Sequence, residues 1–150
     1  MKYEWGKYTW YLFHALAEKI NNKHFDKGYV KIISWIKLIC LNLPCPYCAE
    51  HASTLLNKYK LYHKIKNKED LKEFIFEFHN IVNKKTKKRL ENKDVLNKYK
   101  TINMHKLLQL WNYNFILNIQ DLHYFKQKND ILYVKKKVIN DIKNNIYLFN

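Results

Sequence analysis

Apolar side chains along this chain recur at three- and four-residue intervals, the spacing that gathers them on one face of an α-helix. Between Lys7 and Asn22 the stripe is Trp10, Phe13, Ala17 and Ile20. Asn21 to Gly28 reads as a loop. Tyr29 to Leu43 reads as a second helix, with Val30, Ile33, Ile36 and Cys40 along one side, stopped by Pro44. Pro46 stands where proline opens a helix, and that third helix runs to about Lys58 with Cys48, Ala52 and Leu55 on one side. A polar loop from Lys58 to Lys68 holds Tyr59 and Tyr62. Asp70 caps or starts the next helix, whose face is Leu71, Phe74, Phe78 and Ile81 or Val82. After a basic connector, Lys84 to Lys93, the stretch Asp94 to Lys100 has room for one or two turns. Ile102 to about Phe125 reads as one long helix, and Ile131 to Phe149 as another, with Ile131, Val134, Val138, Ile142 and Ile146 in register. Strand-type alternation is absent, so the pattern predicts an all-α fold.

Composition narrows the picture without changing it. A chain of 150 residues that is 47% hydrophobic is long enough for one core and too apolar for wholesale disorder. Only two glycines and two prolines interrupt it. The most apolar stretch, Val30 to Leu43, is broken by Lys31, Ser34 and Lys37, so no membrane span is expected. Met1 to Trp10 carries charges and no apolar run, so no signal peptide is expected and a reducing, cytoplasmic setting fits. The formal net charge is +15. Its densest groups are Lys84-Lys85, Lys87-Lys88-Arg89 and Lys135-Lys136-Lys137, but the lysines are spread out rather than drawn into one stripe. Solubility is therefore preferred to nucleic-acid binding as the meaning of that charge.

Three segments carry chemistry. Cys45-Pro46-Tyr47-Cys48 places two thiols at a helix N-terminus, where free N–H groups and the helix dipole favour a thiolate. Such a pair either closes into a redox disulfide or supplies half of a zinc site, with His51 and then His63 or His79 completing it. Cys40 is left over. In Gly6-Lys7-Tyr8-Thr9-Trp10-Tyr11-Leu12-Phe13-His14, Trp10 and His14 share a helix face, which by itself suits a core tryptophan and a satisfied histidine. In Phe78-His79-Asn80-Ile81-Val82-Asn83, His79 and Asn83 share a face with Asn80 beside them. Asparagines there suit either a flat, polar-edged ligand between helices or a fraying helix end.

Together, in this order and spacing, the three segments resemble the Erv/ALR family of FAD-linked sulfhydryl oxidases. LPCPYCAEHA followed by HNIVN looks like the minimal versions carried by large cytoplasmic DNA viruses, and the resemblance spans about Trp5 to Lys100. It implies a four-helix bundle plus a short fifth helix in residues 1–100, usually dimeric, while residues 101–150 lie outside the resemblance and read as a C-terminal helical extension of unknown role. It implies FAD as cofactor, Cys48 as the flavin-proximal thiolate and Cys45 as the outer cysteine that exchanges with a substrate dithiol. Lys7, Thr9, Trp10 and His14 would line the FAD pocket from the first helix. His79, Asn80 and Asn83 would bind from the fourth, with Lys84 and Lys88 near the phosphates and Tyr99 as the aromatic beyond it. The expected partners are a thioredoxin-like or other dithiol protein and molecular oxygen, with hydrogen peroxide as product and no nucleic acid. A viral late protein acting in virion assembly, in the viral factory or the virion, fits the same resemblance. The chain lacks the second, shuttle cysteine pair of many cellular members, so Cys45 would receive electrons directly from the partner. A zinc-stapled module and a basic nucleic-acid-binding protein are the alternatives.

Overall fold

The computed structural model describes residues 3–59, 64–117 and 122–150. Its regular elements are helical, apart from an isolated bridge between Ile20 and Phe149. Helix α1 spans Trp5–Lys19, α2 Phe25–Leu41, α3 Pro46–Tyr59, α4 Lys68–Lys85, α5 Met104–Asn114 and α6 Phe125–Asn144. Short 3₁₀ segments at Asn22–His24, Lys93–Thr101, Leu122–Tyr124 and Ile146–Leu148 join or extend them. The all-α architecture is the one the apolar periodicity predicts.

Each helix contributes one stripe to a common core. Leu12, Ala15 and Leu16 of α1, Ile32 and Ile39 of α2, and Leu71 and Ile75 of α4 are fully buried there. Helix α1 packs on α4, and α2 on α3 and α1, while the 3₁₀ run Lys93–Thr101 lies along α1 as the short fifth element. Caps set the boundaries. The Asn67 side chain accepts from the Asp70 N–H at 2.8 Å and starts α4, with Glu69 and Asp70 in its first turn.

The loop between α1 and α2 is shorter than the expected Asn21–Gly28. Asn21 accepts from Lys23 N–H at 2.9 Å, a 3₁₀ turn follows, and α2 begins at Phe25. Gly28 therefore lies inside a helix. A Cβ there would stand 2.6 Å from Ile20 Cδ1, so the missing side chain is what lets α2 close on the end of α1.

The expected single helix from Ile102 to Phe125 is two. Helix α5 stops at Asn114, whose amide oxygen accepts from the Glu4 N–H at 3.0 Å and ties α5 to the start of α1. Phe115 then leaves helical geometry and buries its ring completely, with Leu117 close behind. A continuous apolar run such as Phe115-Ile116-Leu117 carries no periodicity that separates a helix from a buried extended segment. Part of that expected helix, residues 118–121, lies outside the described residues, as do Tyr62 and His63. The last helix begins earlier than Ile131 and ends at Asn144. Ile146, expected on its apolar face, is exposed, and Leu148 and Phe149 are buried in its place.

Helices α5 and α6 join the same core. Trp111 is fully buried, and its indole N–H donates to Thr9 Oγ1 on α1 at 3.1 Å. Trp35 of α2 donates to Asp141 of α6 at 3.3 Å. The chain end straps onto the α1–α2 corner through Asn21 N–H to Leu148 C=O and Asn150 N–H to Lys19 C=O, both 2.7 Å. Among the described residues no helix is long and apolar enough to cross a membrane.

Candidate active site

The site begins at the proline-bracketed turn into α3. Pro44 and Pro46 restrict the backbone on either side of Cys45, so Cys45 takes the N-cap position of α3. Its sulfur accepts from the Cys48 N–H at 3.2 Å, the bond that a serine or aspartate oxygen makes at an ordinary cap. Cys45 and Cys48 form a disulfide, with their Cα atoms 5.1 Å apart. The two sulfurs have different surroundings. Cys48 opens onto a cavity of about 620 Å³, and Cys45 is absent from its wall.

Aromatic rings from α1 and α4 build the floor of that cavity. Trp10 stacks on His79, with ring centres 4.0 Å apart and planes within 10°, and meets Phe78 and Phe13 edge-on at 5.3 and 5.7 Å. His79 Nδ1 is 2.9 Å from His14 Nε2, so one ring donates and the other accepts. That bond needs at least the accepting imidazole unprotonated, and the surroundings favour the neutral form of both rings. Burial, then the neighbouring His79 and Lys98, lowers His14 from 6.5 to about 3. Burial, then Lys88 and Lys98, lowers His79 to about 4. Tyr99 covers the other side of His14, its ring 5.1 Å away, and burial pushes its hydroxyl pKa up.

Of the residues named from the sequence, Lys7, Thr9, Trp10, Cys48, His79, Asn83 and Lys88 line this one cavity. His14 and Tyr99 stand one layer behind, against His79 and Tyr11. Lys84 is exposed and outside the wall. Asn80 is outside it too, and its amide has another partner. Its Nδ2 donates to Glu91 C=O at 3.1 Å and its Oδ1 accepts from Glu91 N–H at 2.8 Å. This two-bond clip folds residues 88–91 back over α4. It explains an asparagine on a helix without a direct ligand contact.

Sequence reasoning missed several residues of the wall. Trp5, Tyr47 and Arg89 line it, and so does His51, which the sequence offered only as a metal ligand. Arg89 carried a signal that was there to be read: it is the only arginine in the chain, beside Lys88 in the basic connector. A planar guanidinium fork suits phosphate oxygens in a way that a lysine does not. His51 lies one turn after Cys48 with its ring parallel to that of Tyr47. Among the described residues no group of three or more His, Cys, Asp or Glu side chains is placed to hold a metal. Cys40 also borders the cavity, but burial raises its thiol pKa far above the usual range, so it is no nucleophile at neutral pH.

The arrangement sets one sulfur of a disulfide against a slot walled by flat rings, with Lys7, Lys88 and Arg89 around it. Such a slot suits a planar heteroaromatic group with an anionic tail. Comparison with known proteins agrees. An FAD-linked sulfhydryl oxidase of African swine fever virus (Kenya isolate) is 34% identical over 86 residues, covering 57% of this chain and 71% of that protein. The Namibia isolate's enzyme of the same name is 33% identical over the same length. A protein of Invertebrate iridescent virus 3 is 31% identical over 98 residues, 64% of this chain and 66% of its own. Residues 7–106, which include all three motifs and every cavity-lining residue from Lys7 onward, match the Erv1 / Alr family, and the chain belongs to that family.

Proposed function

We infer that this chain is an FAD-dependent sulfhydryl oxidase, which forms disulfides in dithiols and passes the electrons to oxygen, giving hydrogen peroxide. The observation that carries the reading is the Cys45–Cys48 disulfide with Cys48 alone facing the ring-walled cavity. The cavity's size lies in the range of cofactor sites, and its donor set suits FAD: stacked aromatics for the ring systems, Lys88 and Arg89 for the pyrophosphate. Bound FAD supplies a two-electron acceptor that also reacts with oxygen, chemistry that no side chain here possesses.

The residues' own work is thiol exchange. A substrate thiolate attacks Cys45 Sγ, forming a mixed disulfide and releasing Cys48 as thiolate towards the cavity. The second substrate thiolate then attacks the substrate sulfur of that mixed disulfide. The substrate leaves oxidised, and Cys45 leaves as a thiolate held by the N-terminus of α3, as the Cys48 N–H to sulfur bond indicates. Two electrons have entered the enzyme's cysteine pair. Trp10 and His79 would hold the cofactor rings, and Thr9, Asn83 and Lys7 line the same cavity. His14 bonds His79 and Tyr99 packs against His14, which fixes the His79 ring in place. Asn80 positions the loop that carries Lys88 and Arg89, and Lys84 adds positive charge nearby.

Residues 1–100 form the oxidase unit and residues 101–150 its helical extension, a division supported by the family match over 7–106 and by cavity lining that ends at Glu91. A homodimer acting on a thioredoxin-like or other protein dithiol, in the cytoplasm or virion of a virus-infected cell, is the setting the family resemblance supports. Oxygen uptake with dithiothreitol tests the reading. One peroxide is expected per oxygen consumed, and absence of uptake would refute it.

A further inference from the structure

Part of the flavin cavity's wall is made by the segment that leads into α1. Tyr3, Glu4, Trp5 and Gly6 line it together with Lys88, Arg89 and Cys48. A helix start frays unless its backbone groups are tied down. Glu4 holds the N-cap position of α1, yet its side chain makes no capping bond, and no acidic residue stands in the first turn. The tie comes instead from the far end of the chain.

Helix α5 supplies it. Asn114 Oδ1 accepts from the Glu4 N–H at 3.0 Å. Asn114 is buried, and its Nδ2 donates to Leu110 C=O at 2.8 Å, which leaves the amide oxygen for Glu4. The neighbouring Tyr113 ring meets the Tyr3 ring, with centres 5.7 Å apart and planes at 56°. One turn before Asn114, Trp111 donates to Thr9, another residue of the cavity wall. Three residues of α5 thus each grip a residue that lines the cavity, and none of the three lines it. All three lie beyond residue 106, where the family match ends.

We propose that the C-terminal extension latches the flavin cavity, with Asn114 and Tyr113 as positioning residues that keep residues 3–6 in place as its wall and so slow the release of FAD. The proposal rests on the oxidase reading. A wall already in place costs no ordering when the cofactor enters, and it has to be displaced before the cofactor leaves. Trp111 also fills the core, so its loss would disturb more than the latch. Tyr113 is about half exposed, so its ring can be removed from a chain that still folds.

The test dilutes the flavin-loaded full-length protein into flavin-free buffer and follows released FAD by its fluorescence. Asn114→Ala and Tyr113→Ala should each release FAD roughly fivefold faster than the wild type, from one lost hydrogen bond or one lost ring pair. Tyr113→Phe keeps the ring and should release at the wild-type rate. Hydrogen exchange on the flavin-free proteins locates the cause. The amides of Glu4 and Tyr8, bonded to Asn114 and to Glu4 C=O, should lose protection in Tyr113→Ala while those of α2 keep theirs. Wild-type release in Tyr113→Ala would overturn the proposal. So would faster release accompanied by lost protection in α2, the mark of a merely structural role. A wild-type protein that holds no FAD would instead refute the oxidase reading, and the latch with it.

Discussion

At the scale of single residues, the unequal settings of similar groups do most of the explaining. Three thiols occupy three environments: Cys45 caps a helix, Cys48 faces the cavity from the disulfide, and Cys40 is buried at the cavity's border. The two histidines of the site are similar to each other and unlike a free imidazole. Both are held neutral, at about 3 for His14 and about 4 for His79, against 6.5 in an unstructured chain. Between about pH 4 and 6.5 the unfolded chain therefore binds more protons there than the folded one. Stability contributed by the pair is complete above pH 6.5 and declines as the pH falls towards 4, by up to about 1.4 kcal/mol per pH unit for each ring. Urea unfolding at pH 7 and pH 5 should show a lower midpoint at pH 5, and a His14→Phe/His79→Phe double variant should flatten that dependence. Helical spacing put Trp10 with His14 on one face and His79 with Asn83 on another, and the family resemblance made them cofactor residues. Neither offered the His14–His79 bond, which depends on how α1 and α4 cross.

At the scale of elements, the end of α4 shows how local chemistry aims a functional loop. Lys88 N–H bonds Asn83 C=O at 2.8 Å and Lys87 N–H bonds Lys84 C=O at 3.3 Å, the paired bonds of a Schellman turn. Lys87 holds the left-handed position, φ 58°, that glycine usually fills. The turn and the Asn80–Glu91 clip together return Lys88 and Arg89 to the cavity. Lys87 is exposed, so Lys87→Gly should relieve the backbone cost and stabilise the protein by about 0.5–1 kcal/mol, measured as a raised thermal midpoint. Helices with a clean apolar stripe between strong stop signals, α2 and α4 above all, were legible to within a few residues. The break after Asn114 was not, because its cause is a bond to Glu4 at the far end of the chain.

At the scale of the whole molecule, the extension is part of the structure that supports the site. Trp111 fills the core against α1 and donates to Thr9, one residue before Trp10. Trp111→Ala should cost about 3–5 kcal/mol and lower the melting temperature by roughly 10 °C, as the cavity cannot collapse around rigid helices. Sequence alone assigned residues after Lys100 no chemistry, since all three motifs lie before them. The packing of α5 on α1 and of α6 on α2 arises from contacts that no local pattern encodes. The central claim is that Cys48 faces a bound flavin while Cys45 faces the substrate. The visible spectrum of the purified protein during anaerobic addition of dithiothreitol tests it most directly. The account predicts flavin bands that bleach in the wild type and recover in air, and that persist unbleached in Cys48→Ser with flavin still bound. A colourless wild-type protein, or bleaching at the wild-type rate in Cys48→Ser, would contradict it.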